Sequence, residues 1–408
     1  MVGCGASPLQ PALDQAVAVA TAHCTSVVQP LVGISILDFS TLLPGPLTTL
    51  LLAEAGARVI KIERPGRGDE MRSYEPKFGA SSVNFALLNR GKESLELDLK
   101  SPDAMQRLRP LIAGADVLVE QFRPGVMDRL GFGYRALSEL NPRLIYCSIS
   151  GWGQAGPKSA TAGHDLNFVA ESGILALAKA ADGSPTLPTV LSADIAGGAY
   201  PAVMNILLAL EQRRATGVGM HLDVAMYDNL FTLAYWAWGN GFAADAWPRD
   251  SGELLTGDSP RYQIYRTADN EYIAAAPLEE KFWVNFCELI GLEQWLRGQD
   301  APQQEVVAEV RRIIRLRTAA HWGELLESRD TCCSVVRDFR EAVARLARTR
   351  GFLLQARVKS GEREIPALPV PIAAAFRGGE VQGYPALGSG NRMECAVGPP
   401  AREPETPR

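Results

Sequence analysis

Short runs of apolar, β-branched residues alternate with helical patterns along the first 150 residues. Residues 34–39 and 58–62 are compact apolar runs that predict buried strands, and the stretch 47–55 between them predicts a helix that Gly56 can end. Residues 116–120 and 144–148 predict two more strands. Strands that alternate with helices are typical of an α/β fold with a parallel sheet covered by helices.

Prolines and glycines predict where these elements are interrupted. Pro44, Gly45 and Pro46 predict a break after the first strand, and a helix is expected to open at residues 101–103. Pro110 lies inside that helix, where it removes a hydrogen bond, so we expect a kink or a break there. Two Ala- and Leu-rich stretches, residues 165–180 and 195–214, predict two further helices.

A second, smaller α+β domain is expected beyond a Gly-, Pro- and Asp-rich linker at residues 239–260. Two strands, 262–265 and 272–275, flank Asn270, which can adopt the positive φ of a tight hairpin. Helical patterns follow, and residues 366–371 read as extended. The predicted helices are 279–290, 303–317 and 320–328.

Composition excludes several classes of function. The 408 residues carry 41 Lys and Arg against 46 Asp and Glu, a net charge of −5, so no general field attracts nucleic acid or an anionic membrane. The 7 cysteines are scattered, which favours reduced thiols in a cytoplasmic protein without a metal site. No apolar run approaches the roughly 18 residues of a membrane span, and residues 1–31 are expected to form a poorly ordered or weakly helical extension without a signal-peptide pattern.

Two loop motifs carry residues suited to proton or acyl transfer. His164 and Asp165 precede an apolar helix; the imidazole can act as a base, and the carboxylate as a nucleophile or as the N-cap of that helix. Asp194 precedes a small-residue stretch, residues 195–198, and it can also cap a helix. From spacing alone, capping explains both aspartates without catalysis.

Acidic and basic residues elsewhere have structural explanations as well. Glu279 and Glu280 start a predicted helix, where acidic side chains interact favourably with the helix dipole. Five cations form a further set, and several of them lie at the edge where open α/β sheets bind ligands, so they are candidates for an anion site or for solvated surface groups. These cations are Arg64, Arg90, Lys92, Lys100 and Arg123.

Taken together, nine segments resemble the family III CoA-transferases, which include 2-methylacyl-CoA racemases. The similarity runs from about residue 32 to residue 391. The segments are LDFSTLLPGP (37–46), AGARVIKIERP (55–65), LNRGK (88–92), LDLK (97–100), FRPGV (122–126), GWG (151–153), AGHD (162–165), DIAGG (194–198) and LEEKFW (278–283).

The resemblance implies a Rossmann-like large domain built from both ends of the chain, a small domain between them, and an interlocked homodimer. The expected division is an extension (1–31), the first part of the CoA-binding domain (32–240), the small domain (241–345), a return segment (346–390) and a tail (391–408). By matching motifs, CoA would lie along Arg64, Lys100, Phe122 and Arg123, as part of the acyl-CoA substrate and not as a permanent cofactor.

The family uses two chemistries, and this chain matches both. In transferases the aspartate matched by Asp165 attacks the acyl-CoA thioester and relays CoA to an acceptor carboxylic acid. In racemases the residues matched by His164 and Asp194 face opposite sides of the α-carbon, and the glutamate matched by Glu279 hydrogen-bonds in the site. Two bases on two faces are what inversion through a planar enolate requires.

The residues around His164 favour the racemase, because an aliphatic residue, Asn167 and an aromatic residue follow Gly-His-Asp as in that branch. A CoA-transferase is the alternative, and a CoA-binding protein that has lost its chemistry is a third. The chain departs from the racemase pattern at Glu280 and Val335, where proline is common. The acyl group, and any acceptor acid, stay open at this point.

Overall fold

The computed structural model describes residues 28–180, 182–248, 254–298, 300–378 and 381–391. The chain divides into two compact units. The first unit comprises Met1–Val169, Val190–Leu233 and Leu346–Arg408, and the second comprises Ala170–Thr189 and Ala234–Arg345. Most of the expected N-terminal extension and of the C-terminal tail lies outside the described residues.

A six-stranded parallel sheet forms the centre of the first unit. Its strands are β1 (Ser35–Asp38), β2 (Arg58–Glu63), β3 (Glu93–Glu96), β4 (Val117–Glu120), β5 (Ile145–Ser150) and β6 (His221–Ala225). The α/β expectation is confirmed. The sequence pattern missed β3 and β6, because both lie at the edges of the sheet and carry polar residues in place of an apolar run.

The strand order, β3-β2-β1-β4-β5-β6, is that of dinucleotide-binding sheets. The order reverses between β1 and β4, which are hydrogen-bonded neighbours. At such a reversal the two flanking connections leave the sheet in opposite directions, and a crevice opens at the carboxyl ends of the strands. The segments that follow β1, β4 and β5 therefore meet at one place, and the candidate functional site lies there.

The helices of the first unit cover this sheet and bury its apolar residues. Their bounds are Pro44–Glu54, Val83–Asn89, Ala104–Gly114, Val126–Arg129, Tyr134–Leu140, Asp165–Glu171, Tyr200–Thr216 and Met226–Leu230, and Phe339–Arg350 ends in this unit. Short strands complete it: Arg357–Ser360 pairs with Arg363–Pro366 and Gln382–Gly383, and Lys77–Phe78 pairs with Ser81–Ser82.

Two expectations need correction, namely the start of the first helix and a break at Pro110. The first helix begins at Pro44 and not after Pro46, because a residue in the first helical turn needs no N–H partner. The third helix runs through Pro110 without a break. Pro110 and Gln106, whose carbonyl loses its donor, both lie on the exposed face of that helix, where water can replace the lost hydrogen bond.

The two Ala- and Leu-rich helices differ from their predicted bounds. The helix predicted over residues 165–180 ends at Glu171 and is followed by a 3₁₀ turn, Ile174–Leu177, after Gly173 adopts a left-handed φ of 81°. The helix predicted over residues 195–214 begins as a π-helix, Ala193–Ala199, and continues as an α-helix, Tyr200–Thr216. Periodicity alone does not distinguish π from α geometry.

The second unit is an α+β structure around its own apolar core. The strands Gln263–Arg266 and Tyr272–Ala275 form the predicted antiparallel hairpin, with Asn270 at a φ of 67°, and Cys333–Val335 adds a third strand. Its helices are Tyr235–Ala244, Glu280–Ile290, Gln303–Ile314 and Ala319–Glu327. The linker predicted from Gly239 is wrong at its start, because Gly239 and Gly241 lie within the first of these helices.

The continuous helical segment Ala193–Thr216 is long and apolar enough, by length and composition, to cross a membrane, contrary to the sequence expectation. Its most apolar 18 residues have a mean hydropathy of 1.4, and 44% of this stretch is buried inside the protein. The core helix of a soluble protein has the same length and composition, so this segment is weak evidence for a membrane.

Candidate active site

A cavity of about 430 Å³ lies at the carboxyl ends of β1, β4 and β5, where the strand order reverses. Three loops and the start of the helix Asp165–Glu171 enclose it, and its walls combine apolar side chains with a few titratable groups. Its lining includes Leu42, Leu43, Pro44, Gln121, Phe122, Arg123, Ile149, Trp152, His164, Phe168, Asp194 and Met226.

His164 lines this cavity, and hydrogen bonds between its backbone and Asn167 hold the backbone in position. Its N–H donates to Oδ1 of Asn167 at 3.0 Å, and its carbonyl accepts from the N–H of Asn167 at 2.8 Å. The first bond is one half of a capping box, in which a side chain three residues into a helix reaches back to the N–H of the N-cap residue, and the second is a backbone bond of the helical turn. The sequence analysis gave Asn167 no such role, although its three-residue spacing from His164 signals it.

Asp165 does not cap the helix that it begins, contrary to the simplest sequence interpretation. Its side chain is 4% exposed, and its Oδ1 accepts from the N–H groups of Ala193 at 2.6 Å and Asp194 at 3.0 Å. These N–H groups form the amino end of the π-helix, where helical donors lack partners and a negative charge is favourable. Asp165 therefore anchors the segment that carries Asp194.

Asp194 does not cap a helix either, because Asp165 already binds the N–H groups at that helix end. Its half-buried side chain lines the cavity together with His164. Burial, and then the nearby charge of Asp165, raises the pKa of Asp194 to about 6, while His164 acts in the opposite direction. A carboxyl group with such a pKa can both accept and return a proton near neutral pH.

The loop after β1 forms one wall of the cavity and is held by Gln121, which sequence reasoning gave no role. Oε1 of Gln121 accepts from the N–H of Gly45 at 3.1 Å, and its Nε2 donates to the carbonyl of Thr41 at 2.6 Å. A Cβ on Gly45 would come within 2.8 Å of that Oε1. Leu42, between these contacts, has a φ of 63° and donates its N–H to Asp69.

The cations expected along CoA lie at this same edge of the sheet. Arg64 and Lys100, which follow β2 and β3, line a second cavity of about 610 Å³. Phe122 lines both cavities, and Arg123 lines the first. The four residues thus extend from the second cavity to the cavity that contains His164 and Asp194.

Arg90 and Lys92 do not contribute to an anion site, which corrects the sequence expectation for two of the five cations. Arg90 is 1% exposed and pairs with Glu54 at 2.7 Å. Lys92 pairs with Asp38 at 3.2 Å, and neither side chain has any exposed surface. Burial lowers the pKa of Lys92 to about 8, although Asp38 opposes this effect. Both cations therefore form buried ion pairs within the first unit, Arg90 with Glu54 and Lys92 with Asp38.

Glu279 lies in the second unit, at the N-cap position of the helix Glu280–Ile290, and its side chain makes no cap hydrogen bond. Glu280 occupies the first turn of that helix and pairs with Arg261 at 2.7 Å. Helix-start electrostatics accounts for Glu280. The role of Glu279 towards a substrate stays a prediction.

The sequence profile of CoA-transferase family III matches residues 31–391. The chain belongs to this family. The match covers both units, so the expected family membership is confirmed for nearly the whole chain.

Curated members of family III from both branches are similar to the chain. It is 34% identical over 349 residues to the alpha-methylacyl-CoA racemase of Homo sapiens, covering 83% of this chain and 85% of that protein. It is also 34% identical over 383 residues to the acetyl-CoA:oxalate CoA-transferase of Acetobacter aceti, covering 90% and 96%. The chain is therefore an enzyme of the racemase and CoA-transferase group.

Two solved structures share the fold of this chain. A CAIB/BAIF family protein from Brucella suis matches with a TM-score of 0.76 and 26% identity over 90% of this chain and 98% of its own. The protein Rv3272 from M. tuberculosis matches with a TM-score of 0.77 and 29% identity, over 90% and 99%. Identity to both curated branches is the same, so it does not choose between racemisation and CoA transfer.

Proposed function

We propose that this family III enzyme epimerises a 2-methyl-branched acyl-CoA by 1,1-proton transfer. The observation that carries the proposal is the different placement of the three candidate side chains. His164 and Asp194 line one cavity, whereas Asp165 is buried and binds two backbone N–H groups through Oδ1. Two titratable groups in one cavity fit a two-base reaction, and a carboxylate engaged in anchoring a helix is less available as a nucleophile.

In the proposed reaction one of the two groups removes the α-proton of the thioester and the other returns a proton to the opposite face. The electron pair of the broken C–H bond is delocalised into the thioester as an enolate. The α-carbon of this enolate then takes up the returned proton on the opposite face, which gives the other epimer. Asp194, whose pKa burial raises to about 6, can take up or return a proton of the substrate near neutral pH. From the family resemblance, Glu279 of the second unit is proposed to hydrogen-bond to the substrate.

The CoA part of the substrate is proposed to lie along the C-terminal edge of the sheet. Arg64, Lys100 and Arg123 would bind its phosphates, because charge-assisted hydrogen bonds to phosphate are among the strongest that side chains make. Phe122 would pack between the two cavities that it lines. Binding energy from this remote part of the substrate can position the reacting carbon between His164 and Asp194.

A CoA-transferase is the second candidate, because a family member with that activity is as similar to the chain as the racemase is. In this case Asp165 would attack the thioester carbonyl and expel CoA thiolate, giving an aspartyl anhydride. The thiolate would then form an aspartyl-CoA thioester and release the acid, and an acceptor carboxylic acid would finally take the CoA. In such a reaction Oδ2 of Asp165 would make the attack, because Oδ1 binds the N–H groups of Ala193 and Asp194.

A homodimer is proposed because one helix presents an uncovered apolar face. On the helix Tyr200–Thr216, Met204, Leu207 and Leu208 are 60%, 44% and 68% exposed. An apolar patch of this kind marks an interaction site, and a second copy of the chain is the partner expected from the family resemblance.

A cytoplasmic location is proposed from the described cysteines, Cys147, Cys287, Cys332 and Cys333, all of which are free thiols.

The proposal is tested by α-proton exchange of a 2-methylacyl-CoA in deuterium oxide, without an acceptor acid. We expect exchange in the native enzyme and a loss of at least about 100-fold in H164A and in D194A, the effect of removing a general base. D165N, which retains an acceptor oxygen for the two N–H groups, should keep most of the exchange. Full exchange in both H164A and D194A, or a hydroxylamine-trapped adduct at Asp165 with no exchange, would refute racemisation.

A further inference from the structure

The helix that carries Asp194 has π geometry until Tyr200, whose N–H donates to the carbonyl of Ile195, five residues earlier. Short π segments inside helices are rare and often lie at functional sites. Pro201 follows immediately. A proline in a helix has no N–H for the carbonyl four residues before it, and its ring crowds that carbonyl. Here the carbonyl concerned belongs to Gly197.

Asn229 supplies a donor to that carbonyl from a different helix. Its Nδ2 donates to the carbonyl oxygen of Gly197 at 2.7 Å, and it belongs to the helix Met226–Leu230, whose first residue lines the catalytic cavity. The two helices are in direct backbone contact, because a Cβ on Gly197 would lie 2.4 Å from the carbonyl oxygen of Met226. The side-chain amide of Asn229 thus provides what Pro201 lacks.

We propose that Asn229 is a positioning residue for Asp194, acting through the Gly197 carbonyl. Asp194 lies three residues before Gly197, less than one turn of helix. A helix rotates by about 100° per residue, so a change of one residue in the hydrogen-bonding register at Gly197 would turn Asp194 away from the cavity. The inference rests on the proposed function, in which Asp194 is one of the two bases.

Substitution of Asn229 tests the proposal against a closely matched control. N229A removes the donor, and N229D keeps the size of the side chain but its ionised carboxylate cannot donate. Asn205 is the control, because its Nδ2 also donates to a helix carbonyl, that of Pro201 at 2.8 Å, and it is half-buried like Asn229.

We expect kcat for α-proton exchange to fall about tenfold or more in N229A and N229D, with KM for the acyl-CoA within roughly twofold of the native value. N205A should match the native enzyme in both constants. Native kcat in N229A, or an equal loss of kcat in N205A, would overturn the assignment of Asn229 as a positioning residue.

A double variant separates positioning from stability alone. P201A restores a main-chain N–H next to the π segment, so P201A/N229A should regain much of the thermal stability that N229A loses. It should not regain exchange, because a regular α-helical bond at this point changes the register on which the direction of Asp194 depends. Recovery of both stability and exchange would show that Asp194 does not need the Asn229 contact.

A titration that needs no substrate distinguishes failure of this inference from failure of the proposed function. The Asp194 carboxyl is followed by carbon-13 NMR of protein labelled at aspartate Cγ, with D194N to assign the signal. We expect N229A, but not N205A, to lower the pKa of Asp194 from about 6, because a turned side chain is less buried. An unchanged pKa refutes the positioning role, whereas absence of exchange in native enzyme refutes the proposed racemisation only.

Discussion

At the scale of single residues, the candidate site depends on which donors each aspartate reaches. Asp165 and Asp194 look alike in the sequence, since each is followed by residues that can form a helix. The fold separates them, because Asp165 binds two N–H groups 28 and 29 residues away and Asp194 lines the cavity. Motif resemblance supplied both residues as candidates. Local sequence patterns do not predict a contact between residues that are 28 or 29 positions apart.

The burial of Asp194 has a consequence for stability. Its pKa rises from 3.8 to about 6 in the folded protein, so its charge opposes folding. The stabilising contribution of the protonated form is complete below pH 3.8 and is lost as the pH rises through about 6. At pH 7, D194N should therefore be more stable than the native protein by up to about 3 kcal/mol, at roughly 1.4 kcal/mol per pKa unit.

Urea denaturation at two pH values checks this expectation. The gain of D194N should be present at pH 7 and absent near pH 3.5, where the native carboxyl is protonated as well. Equal stabilities of the two proteins at pH 7 would mean that Asp194 is more exposed than described. A buried charged group such as Asp194 lowers stability, and such a loss is common where activity needs a strained or desolvated site.

At the scale of elements, the central strands and the small-unit hairpin follow from sequence, whereas helix ends and edge strands do not. β1 and β2 are predicted by their apolar runs, and the hairpin by Asn270. The start of the first helix at Pro44, the π segment and the role of Gln121 depend on contacts between elements. Local propensity carries no information about such contacts.

Gln121 gives a test at this scale. Q121A removes the acceptor for Gly45 and the donor to Thr41, so the loop after β1 should loosen and destabilise the protein by about 1–3 kcal/mol. The exchange rate should fall about tenfold, because this loop forms one wall of the cavity. The control is Q106A, at an exposed helix position. A Q121A enzyme as stable and as active as Q106A would contradict this account of the loop.

At the scale of the whole molecule, two features matter. The strand order determines where the candidate site lies, and the exposed apolar face of the helix Tyr200–Thr216 is the basis for the proposed homodimer. The alternation of strands and helices predicted a parallel sheet, and the resemblance predicted its Rossmann-like character. The order β3-β2-β1-β4-β5-β6 could not be read from alternation, since β3 and β6 carry little apolar signal. Arg64, Lys100 and Arg123 line the two cavities at the carboxyl edge of the sheet, and their binding of CoA stays a prediction.

The proposed homodimer is tested by light scattering after size-exclusion chromatography. The 44.1 kDa chain should elute with twice that mass, and L208E should shift it towards the monomer because the charge would be buried in an apolar interface. R214E, on the same helix but already ion-paired with Glu211 at an exposed position, should leave the mass unchanged. A native monomer at micromolar concentration would contradict the dimer.

The central claim is that His164 and Asp194 invert the configuration at the α-carbon. The most direct measurement follows a single enantiomer of a 2-methylacyl-CoA in deuterium oxide by proton NMR, and the product is then analysed for its chirality. The account predicts that the α-proton signal disappears while the opposite enantiomer accumulates to about half, with no acceptor acid present. CoA transfer to an added carboxylic acid through Asp165, with the α-proton and the configuration retained, would contradict it.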